Sequence, residues 1–377
     1  MKNLYRNHYN LNKMKKSIIL IVIISTFCFQ QTHAQGCVAI RGLGAYSCGN
    51  EEDVKYSSGW TLTANTRYFK SYKHFVGMVE QKERVELGTE VINHTFGLDL
   101  FFQKHLNKRT SFGFNVPVIS NARSSLYEHG GNTGGPAARR TTHSFGIGDI
   151  RAAVYYWLLD PSKSKKWNLQ AGLGIKLPTG DYRYQDYFYR NDTTRTLGPV
   201  DQSIQLGDGG TGMTLELNGY YSFSHELSLY GNFFYLSNPR EQNGVSTARG
   251  GVPTTAQLQY GSNVMSVPDQ YMYRAGMNYM KGKWTTSLGV RKEGIPAEDI
   301  IGENGGFRRP GYVVSAEPGV AYQAPKYTFF FNLPVALQRN RTQSVPDKIR
   351  TQRTGTYFKG DAAFADYLIN VGVVVKL

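Results

Sequence analysis

Short and long connections alternate along most of this chain. From residue 59 onward, about 12 segments carry apolar side chains at every second position, which predicts β-strands and not amphipathic helices. The connections after even-numbered segments are short, whereas those after odd-numbered segments are long and polar. A soluble sandwich has no need of this rhythm, but an outer-membrane barrel has short periplasmic turns and long extracellular loops. We therefore predict an all-β fold, a transmembrane antiparallel up-and-down β-barrel of about 12 strands.

The predicted strands are long enough to cross a bilayer, since a tilted strand needs about 9 to 11 residues for this. They lie near residues 59–69, 93–104, 110–119, 144–159, 167–178, 213–224, 226–236, 271–280, 283–291, 312–322, 326–338 and 367–377. No helical apolar stripe of useful length interrupts them.

A lysine in an apolar run shows how the faces are used. In AGLGIKLPTGD (171–181), Leu173, Ile175 and Leu177 share one face and Lys176 lies on the other. The first face suits lipid, and the second suits the lumen of a barrel. Pro178 then ends the strand, because proline cannot donate to the ladder.

Charges in the other segments keep the same phase, as expected where an Arg or Lys on the lipid face costs about 2 to 4 kcal/mol at the midplane. The predicted lumen-lining residues are Arg67, Asp99, Asp149, Arg151, Lys176, Glu216, Arg274, Arg291 and Glu317. Two interpretations are open: the charges pair with one another and stiffen the barrel, or they form a selectivity or ligand-contact lining.

The first 34 residues have the features of a secretory signal peptide. Two lysines precede an apolar stretch, and Thr-His-Ala stands before the predicted cleavage point at Ala34. The alternative is an uncleaved membrane anchor. We predict three regions: a signal peptide (1–34), a periplasmic or plug segment (35–57) and the barrel (58–377).

A basic excess survives the predicted cleavage. The formal net charge is +15, and removing the five Lys and Arg of residues 1–34, which hold no acid, leaves +10. The basic residues are scattered and do not cluster on a helix, so outer-membrane lipid and lipopolysaccharide are the expected partners and nucleic acid is not.

Two cysteines remain after cleavage, Cys37 and Cys48. In an oxidising compartment they are expected to form a disulfide that closes a short loop. The alternative is lipid attachment at Cys37.

The chain shows no clear catalytic, cofactor or metal motif. Gly207–Gly212 matches a GxGxxG pattern, but a strand follows it where a nucleotide fold requires a helix. His94 and the pair His143-Ser144 have no obvious nucleophile and orienting partner at matching height. No cluster has metal-ligand spacing. We predict that the protein is not an enzyme and needs no cofactor or metal.

Two motifs carry a resemblance to a known family. SFGIGDI (144–150) and LGIKLPTGD (173–181) resemble the paired motifs of the outer-membrane family named after the meta-cleavage pathway of phenol degradation. That family is similar in architecture to barrels that take up fatty acids and aromatic hydrocarbons. The resemblance implies passage of small hydrophobic or aromatic compounds and an N-terminal plug, for which residues 35–57 are the candidate. Gln35, directly after the cleavage point, resembles exported proteins of Bacteroidetes.

These observations predict a monomeric outer-membrane channel that passively admits small hydrophobic or aromatic solutes. A candidate external ligand pocket consists of aromatic residues in the loop after the fifth strand: Tyr182, Tyr184, Tyr187, Phe188 and Tyr189. The alternatives are an open hydrophilic porin and a structural or secretion-associated barrel.

Overall fold

Twelve antiparallel wall strands close into a barrel, as the sequence predicted. The computed structural model describes residues 59–377. The wall strands are β1 (Trp60–Val76), β3 (Ile92–His105), β4 (Thr110–Ser125), β5 (Arg140–Ile147) continued by β6 (Arg151–Trp157), β7 (Trp167–Lys176), β10 (Gly212–Ser222), β11 (Leu227–Ser237), β14 (Gln270–Lys281), β15 (Trp284–Ile295), β16 (Gly311–Gln323), β17 (Tyr327–Asn332) continued by β18 (Val335–Arg341), and β19 (Ala362–Lys376).

The last strand pairs with the first. β19 runs antiparallel to β1 from Thr61 opposite Lys376 to Phe75 opposite Ala362. Closure matters because an unpaired edge inside a bilayer would leave backbone groups without partners.

The two ends of the barrel differ as the connection lengths predicted. Residues 106–109, 158–166, 223–226, 282–283 and 324–326 are short connections at one end, which we call the turn end. Residues 77–91, 126–139, 177–211, 238–269, 296–310 and 342–361 are long connections at the other, which we call the loop end.

Side-chain exposure follows the predicted alternation. In β7, Leu173 is 68% exposed and Ile175 is 42% exposed on the outer face, whereas Lys176 is 3% exposed on the inner face. A lysine can therefore sit in an apolar run because its side chain points into the barrel.

Two wall strands are interrupted. β17 ends before Leu333-Pro334, because a proline nitrogen cannot donate to the ladder. The chain resumes as β18, and the Pro334 carbonyl accepts from Leu368 N at 2.9 Å. The second interruption, between β5 and β6, lies beside the candidate site.

The loop end holds short elements of its own. They are β2 (Val79–Glu80), the hairpin β8 (Gln185–Tyr189) and β9 (Arg195–Pro199), the pair β12 (Gln242–Ser246) and β13 (Val264–Ser266), helices α1 (Lys82–Glu86), α2 (Thr255–Tyr260) and α3 (Val345–Thr354), and 3-10 turns at Glu128–Gly130, Pro136–Ala138 and Gln202–Ile204. α3 has 10 residues but no apolar stripe, so it agrees with the prediction that the chain has no apolar helical stripe of useful length. Its stability comes from a capping box of Ser344 and Asp347, and not from an apolar stripe.

Within residues 59–377, no helix is long and apolar enough to cross a membrane. The predicted signal peptide, the 35–57 segment and the predicted Cys37–Cys48 disulfide lie outside the described residues.

Candidate functional site

Eight of the nine charged residues predicted to line the lumen lie on wall strands, and Asp149 lies in the break between β5 and β6. Seven are buried, and Asp149 and Arg274 are half-buried. Several form ion pairs with residues on other wall strands. Arg67 Nη2 donates to Asp99 Oδ2 at 2.7 Å. Arg274 donates twice to Glu317, at 2.9 and 2.8 Å, in a bidentate pair.

One further member of this lumen set, Glu293, was not predicted from the sequence. Arg291 Nη2 donates to Glu293 Oε2 at 2.7 Å, and both side chains are buried. The signal was present, since residues two apart on a strand share a face. Arg67, Arg274 and Arg291 each bond a carboxylate, so these charges do not form a ring of one sign.

Arg151 differs from the other lumen arginines. It is 6% exposed, and its guanidinium lies 5.3 Å from the centre of the Phe234 ring. Among described residues, its buried Nη2 has no hydrogen-bond partner. Glu216, on a strand two places away in the wall, instead accepts from Tyr155 Oη at 3.2 Å.

The wall strand formed by β5 and β6 is interrupted at Gly148–Ile150, within the first resemblance motif. A residue of the second motif bridges the break: the Thr179 hydroxyl donates to Gly148 O at 3.0 Å and accepts from Ile150 N at 2.9 Å. Leu177 N adds a bond to Ile150 O at 2.8 Å. The two motifs thus supply hydrogen bonds that the sheet ladder lacks at this position.

Asp149, inside the break, links this wall to a distant loop. Its carboxylate accepts from Gly180 N at 3.0 Å and from Asp208 N at 3.2 Å. Lys176 lies between two carboxylates, 3.5 Å from Asp149 Oδ2 and also bonded to Asp208. The lysine of the second motif therefore joins the wall to residues near 208.

The segment around residue 208 folds into the barrel. We call residues 202–209 the inserted segment. Ile204 is fully buried, and its carbonyl accepts from the lumen-facing side chains of Asn121 and Ser144. Gly180 lies directly against the segment, since a Cβ at Gly180 would stand 2.6 Å from Leu206 O. The segment has backbone and side-chain contacts on the wall, so it occupies lumen space at the loop end.

A buried cluster of charges holds the start of the inserted segment. Asp201 accepts two hydrogen bonds from Arg309, at 2.9 and 2.8 Å, and one from Arg249 at 2.5 Å, while Arg123 Nε lies 3.8 Å away. Burial alone would raise the pKa of Asp201, but the guanidinium groups of Arg309, Arg123 and Arg249 hold it well below its usual range. Asp201 is therefore a charged anchor inside the loop end.

Glu128 completes this cluster. It accepts from both Arg123 and Arg249. Burial opposes its ionisation, yet the two arginines lower the pKa of Glu128 below its ordinary value. Loops that are far apart in sequence are thereby tied together by buried ion pairs.

A cavity of about 150 Å³ lies beneath the inserted segment. Its lining combines apolar side chains, amides and charges: Ile119, Asp149, Arg151, Lys176, Gln202, Ser203, Gln205, Leu206, Gly207, Asp208, Leu236, Ser266, Pro268, Gln270, Ile295 and Arg309. Three of the predicted lumen residues, Asp149, Arg151 and Lys176, thus line the same cavity.

The predicted aromatic pocket residues lie elsewhere in the same loop, and none of the five lines this cavity. Phe188 is 2% exposed and packs against His129 and Arg249. Tyr187, its neighbour on β8, points the other way and stacks with Arg195, whose guanidinium is 3.9 Å from the ring centre. Tyr182 covers Gly209, next to Arg183 and Arg240. Tyr184 and Tyr189 are half-buried.

The two histidine candidates for a catalytic base do not form an active-site arrangement in the structure. Consecutive residues of a strand face opposite sides, so exposed His143 and buried Ser144 point apart. His94 Nδ1 lies 2.9 Å from Tyr68 Oη on the outer face. Within residues 59–377, no group of three or more His, Cys, Asp or Glu could hold a metal ion.

Comparisons with known proteins agree with the predicted resemblance. Residues 84–247 match the family model described as "Putative MetA-pathway of phenol degradation". This range contains both motifs, the wall break and the inserted segment. Among curated protein sequences, none matches this chain.

A solved structure shares the fold. An outer membrane channel from Pseudomonas putida F1 superposes with a TM-score of 0.57 at 11% identity, covering 89% of this chain and 100% of that one. The toluene transporter TodX of P. putida gives a TM-score of 0.41 at 10% identity, with 87% and 94% covered. A FadL homologue from Pseudomonas aeruginosa gives 0.40 at 10% identity, with 91% and 96% covered.

Proposed function

We propose that this protein is an outer-membrane channel that passively admits small hydrophobic or aromatic compounds. The barrel fold it shares with the P. putida channel supports an outer-membrane location. The match to a family described by phenol degradation supports small aromatic compounds as solutes. In this proposal, residues 1–34 are the export signal, residues 35–57 are the plug, and the barrel acts as a monomer in contact with lipid and lipopolysaccharide.

The cavity beneath the inserted segment is the observation that carries the proposal. Its volume of about 150 Å³ equals that of apolar protein cavities that take up benzene. Ile119, Leu206, Leu236 and Ile295 supply apolar surface, and most of the other lining residues are polar or charged. Small-molecule sites combine apolar walls with polar groups that fix the orientation of the ligand.

The lumen charges favour this function over an open hydrophilic pore. A selectivity lining presents charged groups of one sign to passing ions. Here Arg67, Arg274 and Arg291 each bond a carboxylate on the same inner wall. Their pairing supports a stiffened barrel whose passage depends on the loop end.

Filling the cavity tests the proposal. Ile295→Phe adds bulk to a residue that is 2% exposed and lines the cavity. We expect the rate of radiolabelled toluene entry into cells making this variant to fall by about tenfold or more, since one extra methylene in an apolar pocket already costs that much. Leu337→Phe, on the outer face and 67% exposed, is the matched control and keeps the wild-type rate.

Conductance in planar bilayers separates the alternatives. The proposed function predicts no steady ion-conducting steps from a folded wild-type barrel. Steady open steps would favour the hydrophilic porin. Unchanged toluene entry in Ile295→Phe, without conductance, would favour the structural or secretion-associated barrel.

A further inference from the structure

One charged group at the cavity has no neutralising partner among residues 59–377. Three cations and two acids line the cavity. Lys176 is engaged by Asp149 and Asp208, and Arg309 by both oxygens of Asp201. The remaining cation is Arg151, which makes no ion pair with any residue in the range 59–377.

The environment of Arg151 makes this lack of a partner costly. The residue is 94% buried, because its exposed fraction is 6%, and its Nη2 has no hydrogen-bond partner among described residues. The acids that act on it electrostatically are Glu216 and Asp99. Glu216 accepts from Tyr155, and Asp99 accepts from Arg67. A buried guanidinium without a hydrogen-bonded anion is rare, since such groups are normally paired.

Phe234 fixes the orientation of this cation. The Arg151 guanidinium lies 5.3 Å from the centre of the Phe234 ring, within cation–π range. In the register of the wall, Arg151 stands opposite Asn115 on one side and Lys176 on the other. The arginine is therefore held in place beside the apolar side chains of Ile119, Leu206 and Leu236 that share the cavity.

We propose that the cavity selects small aromatic monocarboxylates, with Arg151 as the residue that recognises the carboxylate. The inference rests on the proposed function and specifies its substrate class. The planar guanidinium matches the two oxygens of a carboxylate, which is a strong, charge-assisted hydrogen-bonding geometry. The ring of the solute contacts the apolar part of the lining, and the cavity volume limits the solute to about the size of one substituted benzene ring.

Benzoate and benzamide provide the test, because they have nearly the same shape and differ in charge. Calorimetric titration of the full chain, purified in detergent, is expected to show that benzoate binds about tenfold more tightly than benzamide, or more tightly still. One charge-assisted hydrogen bond usually contributes this much. Arg151→Gln is expected to abolish this preference, so that benzoate and benzamide bind with similar affinity. Arg274→Gln, a lumen arginine outside the cavity lining, is the matched control and keeps the preference.

The outcomes separate this inference from the proposed function. Benzamide binding with no preference for benzoate in the wild type overturns the inference and leaves the proposed function standing. A preference that survives in Arg151→Gln also overturns it, because another group then recognises the carboxylate. Binding of neither compound overturns both proposals. The wild-type ratio needs no variant, so the test holds even where Arg151→Gln fails to fold.

Discussion

Arg309 donates two parallel hydrogen bonds to Asp201, at 2.9 and 2.8 Å, although 108 positions separate them in the chain. Arg308, the preceding residue, makes an equivalent pair with Asp299 at 2.7 Å for both bonds. Two consecutive arginines thus bond carboxylates of two different loops, residues 177–211 and 296–310. Both side chains of the Arg308–Asp299 pair are inaccessible, and Asp201 is buried against a partly exposed Arg309, so fixed geometry and not surface charge alone holds the loop-end connections.

Removal of the Asp201 charge is expected to destabilise the loop end. Asp201→Asn removes the carboxylate charge that Arg309, Arg249 and Arg123 share, although Arg249 and Arg123 keep Glu128. Breaking a buried pair on one side costs about 3 to 5 kcal/mol. We expect the free energy of unfolding in urea to fall by about this amount and proteases to cut the segment near residue 205 faster.

The matched control for this prediction is Asp192→Asn. Asp192 also pairs with an arginine, Arg140, but its side chain is 72% exposed. Exposed pairs contribute little, so this variant keeps wild-type stability. Equal stability of Asp201→Asn and Asp192→Asn would contradict a structural role for the buried cluster.

The wall strands could be predicted because lipid imposes a strict rule on one face. An apolar side chain is needed at every second position, and this pattern survives in a single sequence. The rule stops where the strand leaves the membrane. β1 continues to Val76 through Lys70-Ser-Tyr-Lys73, where both faces are polar, and the prediction ended at residue 69. At the loop end of the barrel, the sequence therefore shows no periodic pattern that marks where a strand stops.

The candidate site was predicted only in part, for a related reason. The strand period places Arg151 and Lys176 on the inner face, but it cannot show which carboxylate each one meets. Asp208 reaches Lys176 from a loop, and Arg309 reaches Asp201 from another. Such partners depend on how the long loops fold back into the barrel. In sequence, the inserted segment resembles an ordinary turn.

Acid stability should depend on Asp361, which precedes β19. Its carboxylate accepts from His74 Nδ1 at 2.7 Å and bonds Arg84. Although burial opposes ionisation, His74 and Arg84 lower the pKa of Asp361 to about 2. A depressed folded pKa means that the stabilisation is complete above the unfolded value, about 3.9, and is lost as the pH falls from there through about 2.

The measurement compares hydrogen exchange of residues 82–92 in the wild type and in Asp361→Asn across pH. Val91 N donates to His74 Nε2 at 2.9 Å, so the protection of this segment reports on the His74–Asp361 contact. We expect greater protection in the wild type by a constant margin at pH 5 to 7, a margin that shrinks below about pH 4 and is lost below pH 2. A margin that disappears already at pH 5 would show that the Asp361 pKa is not lowered.

Gly180, in the second motif, should control how deeply the inserted segment sits. A Cβ at this position would stand 2.6 Å from Leu206 O and 2.8 Å from Gly207 N, and backbone atoms at such distances have to move. We expect Gly180→Ala to displace the segment, to cost about 1 to 3 kcal/mol of unfolding free energy, and to produce ion-conducting steps in planar bilayers where the wild type gives none. Gly97→Ala is the matched control, because its nearest contact, Val118 O, lies 3.9 Å away. Loss of stability without new conductance would mean that Gly180 serves packing alone. The inserted segment would then not be what blocks ion passage.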